Sequence, residues 1–159
     1  MTADDDIRPA LRALLASQRY AVLATDDRGQ PFTSLMAFAA SDDLDRLVVL
    51  TERGTRKFAN LQANPRVALL IDDRGNRGSD TEDAVALTVI ARAREAGAVA
   101  RSELLPRYLA RHPQLADFAA STSCAVVELQ VESFLLVSRF RHVAQWHPPA
   151  PRPPAPRDD

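Results

Sequence analysis

Seven short apolar runs, separated by turn signals, constrain the fold of this chain most strongly. Each run has the length of a strand and contains β-branched or aromatic residues, which pack well on a pleated surface. The runs are residues 20–25, 31–40, 46–51, 66–71, 84–95, 124–132 and 134–140. The first two flank the turn signal Asp26-Asp-Arg-Gly29, and this arrangement predicts a β-hairpin. A chain built in this way is mainly β.

Helical segments interrupt these strands without alternating with them. We expect an amphipathic helix over residues 4–18, a short helix over 55–63, and helical structure over 98–120 with breaks at Pro106 and Pro113. Strict β–α–β alternation and the glycine-rich loops of Rossmann and P-loop proteins are absent from the sequence. The pattern therefore predicts an α+β protein, mainly β, with an antiparallel barrel and peripheral helices.

The chain divides into one domain and a tail. Its 159 residues suit a single domain, which we assign to residues 1–147. Residues 148–159 are rich in proline, so we expect an extended, disordered tail. Runs such as 67–71 and 126–131 are apolar on both faces or nearly so, and a domain of this size cannot bury all of that surface alone. We therefore expect a homodimer.

Composition excludes several classes of function. A net charge of −1 argues against a nucleic-acid partner. The single cysteine, Cys124, excludes an intramolecular disulfide, and the three histidines are not spaced like metal ligands, so we expect no metal. The first residues are acidic where a signal peptide is basic, and no apolar run is long enough to span a membrane. We expect a cytoplasmic protein with no membrane partner.

The strongest local feature is an expected anion site. Of the 20 basic residues only Lys57 is lysine, and it follows Thr55 and Arg56 where a strand, a glycine turn and a helix meet. Threonine is a good N-cap, and a helix N-terminus presents free amides and partial positive charge. With Arg53 nearby, the cluster suits a phosphate monoester. The alternative is a capped surface helix whose basic residues are simply solvated.

Three weaker candidates accompany this site. Ser34, on a strand over residues 32–38, could hydrogen-bond a polar ligand, or the strand could be an ordinary half-buried one. Asn76 or Ser79 could line a site from the long polar loop, which could equally be a solvated connection. Trp146 could anchor the C-terminus, or stack on a ligand or a partner subunit.

Taken together, these motifs resemble the FMN-binding split barrels that are similar to pyridoxamine 5'-phosphate oxidase. The resemblance runs from about Gln18 to Trp146 and is best over residues 21–73. It rests on the paired strands around Gly29-Gln30-Pro31, the strand that ends at Thr51, the Thr-Arg-Lys stretch with its short helix, and Asn64-Pro65-Arg66-Val67 before the next strand.

The resemblance implies a cofactor and a set of binding residues. Thr55, Arg56 and Lys57 would hold the FMN phosphate, and Thr51 would lie near the flavin or its ribityl chain. Ser34, Leu35 and Met36 would run along the isoalloxazine, largely through their backbone. The family fold implies a homodimer with FMN at the subunit interface, where Trp146 could reach the flavin of the other subunit.

The chain departs from true pyridoxamine-phosphate oxidases at three places. It has Ser34 where they carry a basic residue, Ala86 roughly where they carry glutamine, and an Arg139–Val143 stretch without their Asp-Arg ending. We therefore expect an FMN-dependent oxidoreductase acting on a different, unknown small molecule, with no catalytic residue assignable. Alternatives are a haem-binding or haem-degrading split barrel using His142 or His147, a deazaflavin-dependent reductase, and a non-enzymatic regulatory or storage protein.

Overall fold

Eight strands and five helices make up the part of the protein that the structure describes. The structure is a computed structural model that describes residues 6–139 and 141–151. The strands are β1 (Tyr20–Asp27), β2 (Gln30–Ala37), β3 (Ala39–Ala40), β4 (Arg46–Glu52), β5 (Arg66–Asp72), β6 (Ala86–Glu95), β7 (Cys124–Ser138) and β8 (His142–Trp146). The helices are α1 (Arg8–Ser17), α2 (Arg56–Ala63), α3 (Asp80–Asp83), α4 (Ala98–Arg111) and α5 (Ala116–Ala120), with a 3₁₀ turn at Pro113–Leu115.

All the strand pairs are antiparallel and belong to one sheet. The strand order is β2-β1-β5-β6-β7-β4-β3, and β8 also pairs with β7. The first strand in this order, β2, and the last, β3, are consecutive in the chain and are separated only by Phe38. The sheet therefore curves on itself, and the prediction of an antiparallel split β-barrel with peripheral helices is confirmed.

The predicted β1–β2 hairpin is present and has a tight turn. Arg28 and Gly29 both have positive φ, at 54° and 90°, as a two-residue turn with the twist of the flanking strands requires. The Gly29 amide donates to Asp26 Oδ1 at 2.8 Å. The turn aligns Thr25 with Phe32 and Asp27 with Gln30 across the two strands.

The two strands predicted over 124–132 and 134–140 are one strand, β7. Ile90 of β6 pairs with Ser133 and Ala91 pairs with Val131, so Glu132 is an extra residue on β7. This β-bulge changes the side-chain alternation without ending the strand, which is why the sequence pattern indicated two strands. Phe140, the predicted end of the second strand, lies outside the described residues.

Three further boundaries differ from the expectations. β8 was not predicted, and it forms because β7 extends beyond β4 and leaves an edge on which Trp146 pairs with Phe134. The run 31–40 is divided at Phe38, between β2 and β3. Pro106 lies inside α4 and does not break it, whereas the 3₁₀ turn begins at Pro113.

The division at Phe38 has a physical cause in α4. His112 Nε2, at the end of that helix, donates to the Phe38 carbonyl at 2.8 Å, and Arg111 Nη1 donates to it at 3.2 Å. The Phe38 amide donates to the Arg19 carbonyl at 3.3 Å. The carbonyl and amide of Phe38 therefore have hydrogen-bond partners outside the strand ladder, so the strand can end here without leaving them unpaired.

Two apolar layers lie on opposite faces of the sheet. The barrel interior contains, among others, Leu23, Val49, Leu69, Val89, Val127 and Phe134. A second cluster, under α4 and α5, includes Val48, Leu50, Leu104, Tyr108, Cys124 and Val126. Both faces of β7 near Val126 are thus buried within one chain, so this strand gives no argument for a dimer, although Leu70 of β5 remains 38% exposed.

A group of charged residues lies near the start of β4, where Glu128 is buried and Arg94 is 72% exposed. Glu128 is only 1% exposed; its Oε1 accepts from Arg94 Nη2 at 3.1 Å, and its Oε2 has no hydrogen-bond partner within the described ranges. Arg46 Nη2 lies 3.0 Å from Glu103 Oε2 of α4. We call Arg46, Arg94, Glu103 and Glu128 the α4 charge cluster.

Candidate functional site

The β4–α2 junction is organised by two threonine hydroxyls. Thr51, at the end of β4, is buried, and its Oγ1 lies 3.1 Å from Thr55 Oγ1. Thr55 Oγ1 donates to the Glu52 carbonyl at 2.8 Å and accepts from the Phe58 amide at 3.4 Å. Thr55 is therefore the N-cap of α2, as the sequence predicted, and the strand and helix meet at a fixed angle.

Arg56 and Lys57 occupy the first two positions of α2. Their amides have no carbonyl four residues earlier within the helix, so both N–H groups face away from it. The Lys57 side chain is half-buried, and its ammonium has no ion-pair partner in the part of the chain that the structure describes. Two cationic residues and two free amides are thus present at the start of α2, which we call the α2 anion site.

Arg56 extends from this point over the β1–β2 hairpin. Its guanidinium carbon lies 5.4 Å from the centre of the Phe32 ring, and its Nε lies 4.0 Å from Asp27 Oδ2. The first contact has the geometry of a cation–π interaction. The second is a long ion pair at the surface, where water screens it.

Arg53 does not contribute to the α2 anion site, contrary to the expectation of a third positive charge. Its Nε donates to Glu95 Oε1 at 3.0 Å and its Nη1 donates to the Thr122 carbonyl at 2.6 Å. The guanidinium is therefore paired with a carboxylate on β6. The sequence could not show this pairing because the two residues are distant in the chain.

The structure brings β2 beside the α2 anion site. Phe32, Ser34 and Met36 alternate along one face of β2, while Leu35 points to the other face and is 73% exposed. Since Arg56 lies over Phe32, the face that carries Ser34 begins at this site. Ser34 and Met36 follow Phe32 at about 7 Å and about 13 Å along the strand.

Asn76 is not brought to this site within one chain. It is an exposed residue with φ of 58° in the loop after β5. The register pairs Val22 of β1 with Leu70 of β5, so this loop starts at the Tyr20 end of β1. Arg56 contacts the opposite end, at Asp27, which is about 23 Å away along the strand.

The loop that carries Asn76 is held together by Asp80. Its carboxylate accepts from the amides of Arg77 at 3.0 Å and Gly75 at 3.2 Å, and these hydrogen bonds hold the pKa of Asp80 below its usual value. The loop is therefore ordered by its own contacts. Nothing in this geometry assigns Asn76 to a ligand.

Trp146 is also remote from the α2 anion site within one chain. It stacks on Phe134, with ring centres 5.9 Å apart, and packs against the barrel core. Thr51 pairs with Ala125 of β7, whereas Trp146 pairs with Phe134, which is about 30 Å further along the same strand. Within one chain, the indole anchors the C-terminal strand to the barrel, which is the first of the two roles that the sequence left open for Trp146.

The three histidines have different surroundings. His112 is buried and bonded to the Phe38 carbonyl, which is a structural role. His142 is exposed on β8, and His147 Nδ1 lies 3.1 Å from the Glu132 carbonyl. No cluster of three His, Cys, Asp or Glu side chains suited to a metal occurs among residues 6–139 and 141–151. In the same residues, no helix is long and apolar enough to cross a membrane.

Comparison with known proteins identifies the family. The sequence profile of pyridoxamine 5'-phosphate oxidase matches residues 7–138. The chain belongs to the pyridoxamine 5'-phosphate oxidase family. A protein from Schizosaccharomyces pombe, described as a pyridoxamine 5'-phosphate oxidase homologue, is 33% identical over 80 residues. That match covers 45% of this chain and 42% of the yeast protein, so the chain spans less than half the length of this relative.

Two solved structures illustrate the range of ligands on this fold. A FAD-binding protein from Mesorhizobium loti superposes with a TM-score of 0.63 at 21% identity, covering 81% of this chain and 92% of that one. HutZ, the haem storage protein from Vibrio cholerae, superposes with a TM-score of 0.67 at 20% identity, covering 79% and 90%. At these identities the likeness shows the fold alone.

The positions that depart from the family pattern now have places in the structure. Ser34 lies on the β2 face that begins at the α2 anion site, so a hydroxyl stands where the pattern expects a basic residue. Ala86 is the first residue of β6, at the end of the barrel where the long loop lies. Arg139 and Arg141 lie in the turn between β7 and β8, with Phe140 outside the described residues.

Proposed function

We propose that the protein binds FMN and acts as an FMN-dependent oxidoreductase on a small-molecule substrate. The observation that carries this proposal is the α2 anion site, where Lys57 has no ion pair with any described residue and lies next to Arg56 at a helix start with free amides. A phosphate monoester carries about −1.5 to −2 charges and accepts several hydrogen bonds, which matches this donor set. The family match supports the same ligand class.

The rest of the flavin would lie along β2. Ser34, Leu35 and Met36 follow the anion site at distances that let one ligand place its phosphate at α2 and its ring along the strand. Thr51 is adjacent to the N-cap Thr55, so its hydroxyl is close to the ribityl end. Bound flavin supplies hydride or electron transfer, and these residues anchor and orient it. The catalytic residue and the substrate stay unassigned.

The direct test is cofactor binding followed by turnover. We expect purified protein to bind FMN at micromolar concentration, with a shift in the visible flavin spectrum, and to bind riboflavin more weakly because it lacks the phosphate. Absence of FMN binding would overturn the proposal. Binding without reduction of the flavin by NAD(P)H or reduced deazaflavin would leave a storage or regulatory protein instead.

We also propose a homodimer that uses the outer face of β2, β1, β5 and β6. Leu35 and Leu70 both pair with Val22 of β1, and Ile90 on β6 pairs with Ala68 of β5. Leu35, Leu70 and Ile90 are exposed on this face, and a second copy would cover them. Because β2 lies at one end of the strand order, FMN along its edge would be beside this interface, where Asn76 or Trp146 of the second copy could reach it. A cytoplasmic location completes the proposal.

The oligomeric state tests this face. Leu70→Glu combined with Ile90→Glu should lower the mass measured by sedimentation from dimer to monomer, because charges resist burial at an interface. Val99→Glu is the control, since Val99 is also an exposed apolar residue but lies on α4. A monomeric native protein, or a double variant that is still dimeric, would contradict the assignment.

Haem binding is a second candidate, supported by His147. Its Nδ1 donates to the Glu132 carbonyl, which leaves Nε2 with a lone pair, as in many metal-ligating histidines. Titration with haem, followed by its absorption near the Soret band, tests this function. A band that His147→Ala abolishes would favour haem, whereas a band that survives both His147→Ala and His142→Ala would exclude these two ligands.

A further inference from the structure

We propose that Phe32 is a positioning residue that holds the Arg56 guanidinium ready for the phosphate of the flavin. The inference rests on the proposed FMN binding and adds a residue that does not itself contact the phosphate. Its basis is the placement of an exposed cation over a half-buried aromatic ring that belongs to another element of the fold.

Arg56 needs such support because its own helix does not hold it. The side chain is 66% exposed, and a free arginine loses considerable rotamer freedom when it binds a ligand. The Phe32 ring, 5.4 Å from the guanidinium carbon, reduces that freedom before the ligand arrives. A ligand that meets an ordered guanidinium therefore binds more tightly than one that must order it.

The ring suits this role better than the nearby carboxylate does. Asp27 Oδ2 lies 4.0 Å from Arg56 Nε, which is too long for a hydrogen bond. Its negative charge would also repel an incoming phosphate, whereas an aromatic ring is neutral and leaves the N–H groups at the guanidinium edge free. Phe32 can thus orient Arg56 both before and after the anion binds.

The β1–β2 hairpin fixes the ring itself. Phe32 pairs with Thr25 of β1, and the buried Thr25 Oγ1 accepts from Asn60 Nδ2 of α2 at 3.1 Å. The strand that carries the ring is therefore tied through its neighbour to the helix that carries Arg56. This connection holds the Phe32 ring beside the Arg56 guanidinium.

The experiment measures the dissociation constants of FMN and riboflavin for each variant, because their ratio isolates the contribution of the phosphate. We expect Phe32→Leu to reduce the preference for FMN by about two- to fivefold, the scale of an exposed cation–π contact, with riboflavin affinity unchanged. Phe32→Tyr keeps the ring and should restore the preference. In an Arg56→Ala background, Phe32→Leu should have no further effect on the ratio.

Controls separate positioning from folding. Phe118→Leu changes another half-buried aromatic residue, on α5, and should leave the ratio unchanged. If Phe32→Leu does not fold, Phe32→Met removes the ring with a more adaptable side chain. An unchanged ratio in folded Phe32→Leu or Phe32→Met would overturn the positioning role alone. Failure of the native protein to bind FMN would overturn the proposed function, and this inference with it.

Discussion

The two ends of β4 carry charge in opposite ways. At its start, Arg46 pairs with Glu103 beneath α4, and nearby Glu128 is buried against Arg94. At its end, Lys57 in α2 has no ion-pair partner within the described residues. Arg56 lies over the Phe32 ring and has a long ion pair, at 4.0 Å, with Asp27. The charged side chains in the first region form ion pairs with one another, and those in the second can still pair with a ligand.

This difference shows how to distinguish structural from functional charge in a small barrel. A buried carboxylate is tolerated only with a cation beside it, so the α4 charge cluster is tied to the packing of a helix. An unpaired ammonium costs little while it stays partly solvated, and it gains a partner only when an anion binds. We therefore expect charged residues to affect folding at one end of β4 and ligand binding at the other.

The largest effect expected is on folding, from Arg94→Ala. Removal of this guanidinium leaves the buried Glu128 carboxylate without its hydrogen-bonded cation. The free energy of unfolding should fall by about 2 kcal/mol in urea denaturation, less than for a fully buried pair, because the Arg94 side chain is 72% exposed. Arg92→Ala is the matched control, because Arg92 pairs with Glu132 on the same two strands but at the surface, where the loss should stay below about 1 kcal/mol. Equal losses in the two variants would show that the burial of Glu128 does not make its ion pair with Arg94 more important for folding.

The opposite result is expected at the other end of β4. Lys57→Ala should weaken FMN binding by about 1–3 kcal/mol, the scale of a lost charge-assisted hydrogen bond, with little change in the free energy of unfolding. Arg8→Ala removes an exposed cation on α1 and serves as the control in the same fluorescence titration. Binding that stays the same within error would remove Lys57 from the site.

A smaller effect on the free energy of unfolding is expected at Thr55, which lies in the α2 anion site and also caps α2. Thr55→Ala removes the N-cap of α2 and should lower the free energy of unfolding by about 1 kcal/mol, while Thr55→Ser keeps the hydroxyl and most of that stability. Chemical denaturation of both variants measures the difference. If serine is no better than alanine, the hydroxyl bonds at this junction do not stabilise the helix.

The smallest effect expected is a pH dependence of the free energy of unfolding, caused by the buried Tyr108 of α4. Burial raises the pKa of Tyr108 to about 12, above its value near 10 in an unfolded chain. As the pH rises above about 10, the unfolded chain releases this proton and the folded protein keeps it, so stability falls. Tyr108→Phe should therefore lose less stability than the native protein between about pH 9 and about pH 11 in urea denaturation. If the native protein and Tyr108→Phe lose the same stability as the pH rises, Tyr108 does not contribute to this pH dependence.

Local patterns predicted most of the fold, and their failures have physical causes. The β1–β2 turn and the Thr55 cap were predictable because each depends on a few neighbouring residues. The β-bulge at Glu132 and the corner at Phe38 were not, because the first depends on β6 and the second on the end of α4. Strand β8 was missed because its pairing depends on how far β7 extends beyond β4.

The candidate site was predictable only in part, for the same reason. Arg56 and Lys57 were found because cap, charge and helix start are adjacent in sequence. The contact of Arg56 with Phe32 and the pairing of Arg53 with Glu95 join residues that only the folded barrel brings together. No sequence signal identified Phe32 beyond its place on a strand.

The corner at Phe38 also bears on the order in which the chain folds during synthesis. Its carbonyl accepts from His112, which lies 74 residues later, and β4 pairs with β7, which begins only at Cys124. The β1–β2 hairpin can form as soon as it leaves the ribosome, whereas the barrel can close only after these later segments have been made. Nascent chains would therefore hold an open sheet edge for most of their synthesis, and chaperone contacts should concentrate on that interval.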